Sequence, residues 1–169
     1  YQVTVLCPQP SRAGIYKKNQ VVNEPEISFD RGVKVVRIPS YCSPQSKILA
    51  RARESFSFGN YVQKYLSQEK SKPNVLYVNA WPLICQAILA RYSKKSKTPM
   101  ILQIMDIYPE SFLNKLSKFV QSIFGFPLTL LDTWIAQNAS IITVISENMR
   151  NTYVNSRKIR PEKIKLVKD

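Results

Sequence analysis

The sequence predicts an α/β fold, a three-layer sandwich in which helices flank a mostly parallel sheet. Two observations carry this. Short apolar runs alternate about four times with stretches of helical periodicity along 169 residues, the pattern of parallel strands joined by right-handed helical crossovers. The run Ser140-Ile141-Ile142-Thr143-Val144-Ile145 is almost continuously apolar, as a strand covered on both faces would be. A length of 169 residues with 44% hydrophobic content is enough for one domain with a real core.

The elements follow in order. Val3 to Leu6 reads as a strand, and Pro8 to Arg31 as a long loop rich in Pro, Asn and charge. Val33 to Ile38 alternates apolar and basic residues, the pattern of a strand near a sheet edge. Ser43 and Pro44 fit an N-cap and a first helical position. The helix after them carries Ile48, Leu49, Ala52, Phe56, Val62 and Leu66 at helical spacing, with Gly59 as its weak point. Asn74 to Val78 is a strand, Pro82 to Tyr92 a helix, and Met100 to Met105 the next strand. Phe112 to Asn138 reads as mostly helical, with a break at Gly125-Phe126-Pro127. Ser146 is placed to cap a further helix, and Pro161 precedes the last strand, near Ile164. All the strands are expected in one sheet.

Composition removes several chemistries. The chain has no histidine, which excludes Ser-His-Asp triads, Cys-His dyads and histidine metal sites. Its four glycines form neither a dinucleotide fingerprint nor a P-loop. Acid–base work therefore falls to Asp, Glu, Tyr, Lys or Cys. Three cysteines, Cys7, Cys42 and Cys85, are few and odd in number, which points to reduced packing residues and a cytosolic setting.

The net charge of +14 favours anionic partners: nucleic acid, an acidic membrane face or phosphorylated substrates. Between Asn74 and Ile104 stand Arg91, Lys94, Lys95 and Lys97 with no acidic residue. Arg157, Lys158, Arg160, Lys163, Lys165 and Lys168 make the C-terminal stretch read as a solvated basic tail. The apolar residues Leu116, Phe119, Val120, Ile123, Phe124, Phe126, Leu128, Leu130 and Leu131 read chiefly as a core-facing helical hairpin, and secondarily as an interfacial helix. The run is too broken to span a bilayer, which needs about 20 mostly apolar residues.

The most telling local feature is Asp106-Ile107-Tyr108-Pro109-Glu110-Ser111, directly after the strand Met100 to Met105. Open α/β sheets bind ligands beyond the carboxyl ends of their strands, and this turn brings two carboxylates and a hydroxyl there. Pro109 fixes its own φ and keeps Tyr108 out of helical geometry. The same residues also suit a plain helix entry, and the residues alone leave both readings open. Asn79, Ala80 and Trp81 follow another strand end and fit the same crevice, although Trp81 fits simple packing equally well.

Three stretches together carry a resemblance that covers most of the chain. YQVTVLCPQPS is similar to a second strand, QIMDIYPES to an Asp-(Leu/Ile)-(Trp/Tyr)-Pro-(Glu/Asp)-Ser turn, and SIITVISENMRNTYVNSRKIRPEKIKLVKD to a strand–helix–strand close, in the N-terminal half of GT-B glycosyltransferases of the family 4 type. The likeness is greatest to bacterial enzymes of capsule, O-antigen and exopolysaccharide assembly. It implies one Rossmann-like half of a GT-B fold. Residues 1–169 would be an N-terminal domain lacking its first strand and helix, with the C-terminal donor-binding domain absent. Such a piece is expected to be inactive alone.

The resemblance implies retaining transfer of a sugar from a nucleotide-sugar to a hydroxyl acceptor, such as a sugar or a polyprenyl-linked glycan, in polysaccharide or lipid-linked glycan synthesis. It implies no cofactor beyond the donor substrate and no metal. Asp106 and Glu110 would be the catalytic carboxylates, with Asn79, Trp81, Tyr108, Ser111, Ser146 and Glu147 on the acceptor. A cytoplasmic location follows, with a peripheral station at an anionic membrane surface, the inner face of the plasma membrane, as a further expectation. The competing reading is a non-enzymatic basic α/β module that binds nucleic acid or an anionic membrane; the sequence offers it charge but no reading helix or aromatic–glycine RNA motif.

Overall fold

A computed structural model describes residues 1–9, 24–41, 48–79, 82–113 and 117–167. The chain divides into two compact units, Tyr1–Lys70 and Ser71–Asp169. The strands expected in one sheet form two hydrogen-bonded sheets, one in each unit.

In Tyr1–Lys70, β1 (Thr4–Pro8) runs parallel to β3 (Val33–Ile38), and β2 (Glu26–Asp30) runs antiparallel to β3. β2 falls in what the sequence suggested was loop. Its residues alternate polar and apolar, and a two-residue turn, Arg31-Gly32, returns the chain to β3. Both turn residues have positive φ, 47° and 83°, as a type I′ hairpin turn requires and glycine supplies most readily. α1 (Ile48–Gln68) follows and passes through Gly59 without interruption. Val62 and Leu66 are buried as expected, whereas Leu49 and Phe56 face solvent. The proposed cap at Ser43-Pro44 lies outside the described residues.

In Ser71–Asp169 the order is β4 (Leu76–Asn79), α2 (Leu83–Ser96), β5 (Met100–Ile104), α3 (Glu110–Leu113), α4 (Lys118–Asn138), β6 (Ile141–Val144), α5 (Glu147–Asn155) and β7 (Ile164–Leu166). The sheet order β4-β5-β6-β7 follows the sequence, and every pair is parallel. This is the expected α/β class, a Rossmann-like parallel sheet of the kind found in half of a GT-B fold. One sheet face is closed by Val78, Met100, Leu102, Ile104, Ile142, Val144 and Ile164. The other carries Tyr77, Ile141 and Lys165, all exposed.

The break expected at Gly125-Phe126-Pro127 is not there: α4 runs through Pro127. An interior proline removes a hydrogen bond and costs about 3 kcal/mol. The inward face beyond it, with Ile135, Ala136 and Ala139 buried, offsets that cost. A Cβ at Gly125 would sit 3.4 Å from Leu113 Cδ1, an ordinary van der Waals contact, so the packing of α3 there does not depend on glycine. The hairpin residues expected in the core are mostly outside it. Phe119, Ile123, Phe124, Phe126 and Leu130 are exposed, because α4 offers only one side to its neighbours.

Candidate functional site

The turn that follows β5 is built from its backbone upward. Asp106 and Ile107 leave the strand end, the Tyr108–Pro109 bond is cis, and Ser111 N–H donates to Ile107 O at 2.9 Å. Leu113 N–H donates to Pro109 O at 2.8 Å, which closes the short α3. α5 faces this turn. Its N-cap is Ser146, whose Oγ accepts from Met149 N–H at 3.3 Å. Asp106, Ile107, Glu110 and Ser111 from the turn, with Met149 and Thr152 from α5, line one open depression of about 390 Å³.

A buried ion network lies behind the turn. Arg157 and Asp132 are each only 2% exposed. Arg157 Nε donates to Asp132 Oδ2 at 2.9 Å. Its Nη2 donates to Tyr108 O at 3.2 Å and lies 2.7 Å from both carboxylate oxygens of Glu110. Tyr153 Oη donates to Asp132 Oδ1 at 3.1 Å. The chain after α5 brings the guanidinium inward: Ser156 N–H bonds Thr152 O at 2.8 Å, Lys158 takes a φ of 54°, and Ile159 N–H bonds Tyr153 O at 3.1 Å. Burial pushes the Asp132 carboxyl above its ordinary value, while Arg157 and Tyr153 pull it back. Burial, then the neighbouring Asp132, holds the Tyr153 phenol well above its usual range. For Arg157 burial favours loss of the proton, but the bonds to Glu110 and Asp132 outweigh it and strengthen the cation.

The predicted site residues thus fall into distinct surroundings. Asp106 is exposed on the depression, and among the described residues no hydrogen bond or ion pair occupies its carboxylate. Glu110 lines the same depression but is held by Arg157. Ser111 lies beside them. Tyr108 gives its carbonyl to Arg157, and its half-buried phenol is pushed upward by burial and by Asp132. Ser146 spends its hydroxyl on the α5 cap, and Glu147 is exposed and pairs with Arg150 at 3.4 Å. Asn79 ends β4, with its carbonyl accepting from Gln86 Nε2 at 2.8 Å. Trp81 lies outside the described residues.

Sequence reasoning missed Arg157, Asp132 and Tyr153, and took Arg157 for part of a solvated tail. A lone Asp132 in an apolar helix was a usable signal, since an unpaired buried carboxylate demands a cation. No described cluster of Cys, Asp and Glu is grouped to hold a metal ion.

A parallel β/α sheet with a carboxylate-lined depression beyond its strand ends is the arrangement of a ligand-binding α/β domain. The chain matches the family model of the glycosyl transferase 4-like domain over residues 1–168 and belongs to that family. No match was found among curated proteins.

Proposed function

We propose that this chain is the acceptor-side domain of a retaining glycosyltransferase, moving a sugar from a nucleotide-sugar to a hydroxyl on a sugar or polyprenyl-linked glycan in polysaccharide or lipid-linked glycan synthesis. The supporting observation is the placement of an unengaged carboxylate, Asp106, beside Ser111 on an open depression at the carboxyl end of β5 in a chain of this family. Asp106 receives or orients the proton of the attacking hydroxyl. Ser111 offers a hydrogen bond to a neighbouring sugar hydroxyl. Glu110, already bound by Arg157, fixes the wall of the depression. The donor is held by a second GT-B domain in this reading, and the chain alone is inactive.

Asp106→Asn in the full-length enzyme tests the assignment, because it keeps the shape and removes the charge. Turnover is expected to fall by about 10²–10⁴-fold, the usual share of a general base. A well-folded Asp106→Asn enzyme with unchanged turnover would remove Asp106 from the mechanism.

A further inference from the structure

We infer that Arg157 is a positioning residue: one buried guanidinium clamps the Asp106 turn against α5 and so sets the gap into which an acceptor fits. The clamp stands on geometry alone, and its bearing on the acceptor rests on the proposed function.

The depression has two walls. Asp106, Ile107, Glu110 and Ser111 belong to the turn, Met149 and Thr152 to α5. Arg157 bridges them. It stands just beyond the end of α5, and the bond from Ser156 N–H to Thr152 O, 2.8 Å, ties its backbone to the α5 wall. Its Nη2 reaches the turn, donating to Tyr108 O at 3.2 Å and lying 2.7 Å from both Glu110 carboxylate oxygens. Those two residues follow Asp106 closely in the chain, so what holds them also holds Asp106.

The bridge is itself held. The Arg157 side chain is 2% exposed, and its Nε donates to Asp132 Oδ2, on α4, at 2.9 Å. Asp132 in turn accepts from Tyr153 Oη, on α5, at 3.1 Å. The guanidinium therefore has one orientation, with Nε toward α4 and Nη2 toward the turn.

The placing of these bonds separates position from stability. Asp132 already balances the Arg157 charge inside the protein. The second carboxylate, on Glu110, is 44% exposed, and a pair so open to water adds little to folding. What it adds is direction. A planar fork of donors holds a carbonyl and two carboxylates in one geometry, which a lysine ammonium does not reproduce. Reacting groups need supporting contacts that hold them to about 0.5 Å, and misplacement by about 1 Å costs roughly 10²-fold in rate.

The test is the triple variant Asp132→Leu/Tyr153→Phe/Arg157→Met in the full-length enzyme. It removes both buried charges and the hydroxyl that serves them, and apolar replacement of a buried ion network is often neutral or stabilising. Amides of β5 and β6 should keep their hydrogen-exchange protection. Ser111 and Leu113 N–H, which close the turn on Ile107 O and Pro109 O, should exchange at least about tenfold faster. Turnover should fall about 10²-fold, with the KM for the nucleotide-sugar unchanged. Arg157→Lys keeps a cation for Asp132, and with it the fold, and should shift exchange and turnover the same way by less. Asp106→Asn should leave exchange at Ser111 and Leu113 at the wild-type rate, so a failed clamp and a failed general base give different results. Wild-type exchange at those two amides in Arg157→Lys or in the triple variant, or wild-type turnover in the folded triple variant, would overturn the inference.

Discussion

Among the described residues, eight of the ten largest fully buried side chains lie in Ser71–Asp169, and Tyr1–Lys70 contributes Val36 and Ile38. In the second unit each of the four strands is joined to the next through helix, and one sheet face is closed. In the first, the Arg31-Gly32 hairpin joins β2 to β3, and α1, which packs on β3, is the one helix among the described residues. Val3, Val5, Ile27 and Phe29 are left exposed there. A parallel sheet obliges the chain to supply a cover for every strand, whereas an antiparallel return does not.

The sharpest test of that contrast is Arg157. Arg157→Ala leaves Asp132 buried without its cation and should destabilise Ser71–Asp169 by about 3–5 kcal/mol, read as lost amide protection in β5 and β6. Arg157→Lys keeps the charge but not the fork of donors, and should recover only part of it. A loss under about 1 kcal/mol would mean that apolar packing alone holds this unit.

Leu102→Ala against Val5→Ala compares the two sheets directly. Leu102 is fully buried, and its truncation should cost about 2–5 kcal/mol. Val5 is exposed, and its truncation should change stability by no more than about 0.5 kcal/mol. Equal denaturant midpoints for the two variants would erase the distinction.

Thiol labelling gives a smaller signal. Burial pushes the Cys85 thiol up to about 12, so at mildly alkaline pH it stays protonated and enclosed. Mass spectrometry should find half-buried Cys7 labelled well before Cys85, with Cys85 reacting only in denaturant.

The smallest effect is at Lys34, Tyr65 and Glu69. Lys34 Nζ donates to Tyr65 Oη at 3.0 Å and lies 3.5 Å from Glu69. The Tyr65 hydrogen bond, and then Lys34, hold the Glu69 carboxyl below its ordinary value of 4.5. Its contribution is therefore complete above that pH and is lost as pH falls through the lowered value. Lys34 is half-buried, but the Glu69 side chain is 39% exposed and screened by water, so Glu69→Gln should remove no more than about 0.5 kcal/mol at neutral pH and flatten the acid limb of stability.

The parallel half was legible because its strands and helices leave local periodicities: each of β4 to β7 and α2 lies close to where apolar spacing put it. β2 was hidden by its polar residues, although the alternation Glu26 to Asp30 followed by Arg31-Gly32 is a hairpin signal. Pro127 misled because a local rule was overruled by packing farther along α4. At the site, the Asp106 turn could be found from one window of sequence. Arg157 could not, since its partners Asp132 and Glu110 stand 25 and 47 residues away. Nothing in a run of lysines and arginines marks the one that turns inward.

That separation has a consequence in time. A ribosome adds about 5–20 residues per second, so Arg157 is joined to the chain roughly 2–9 s after Glu110, which precedes it by 47 residues. Asp132 is joined 25 residues before Arg157, so for roughly the last 1–5 s of that interval the nascent chain carries it without its counterion. A polypeptide stopped short of Arg157 would keep that defect, so the wall beside Asp106 takes its final form only after translation has passed α5.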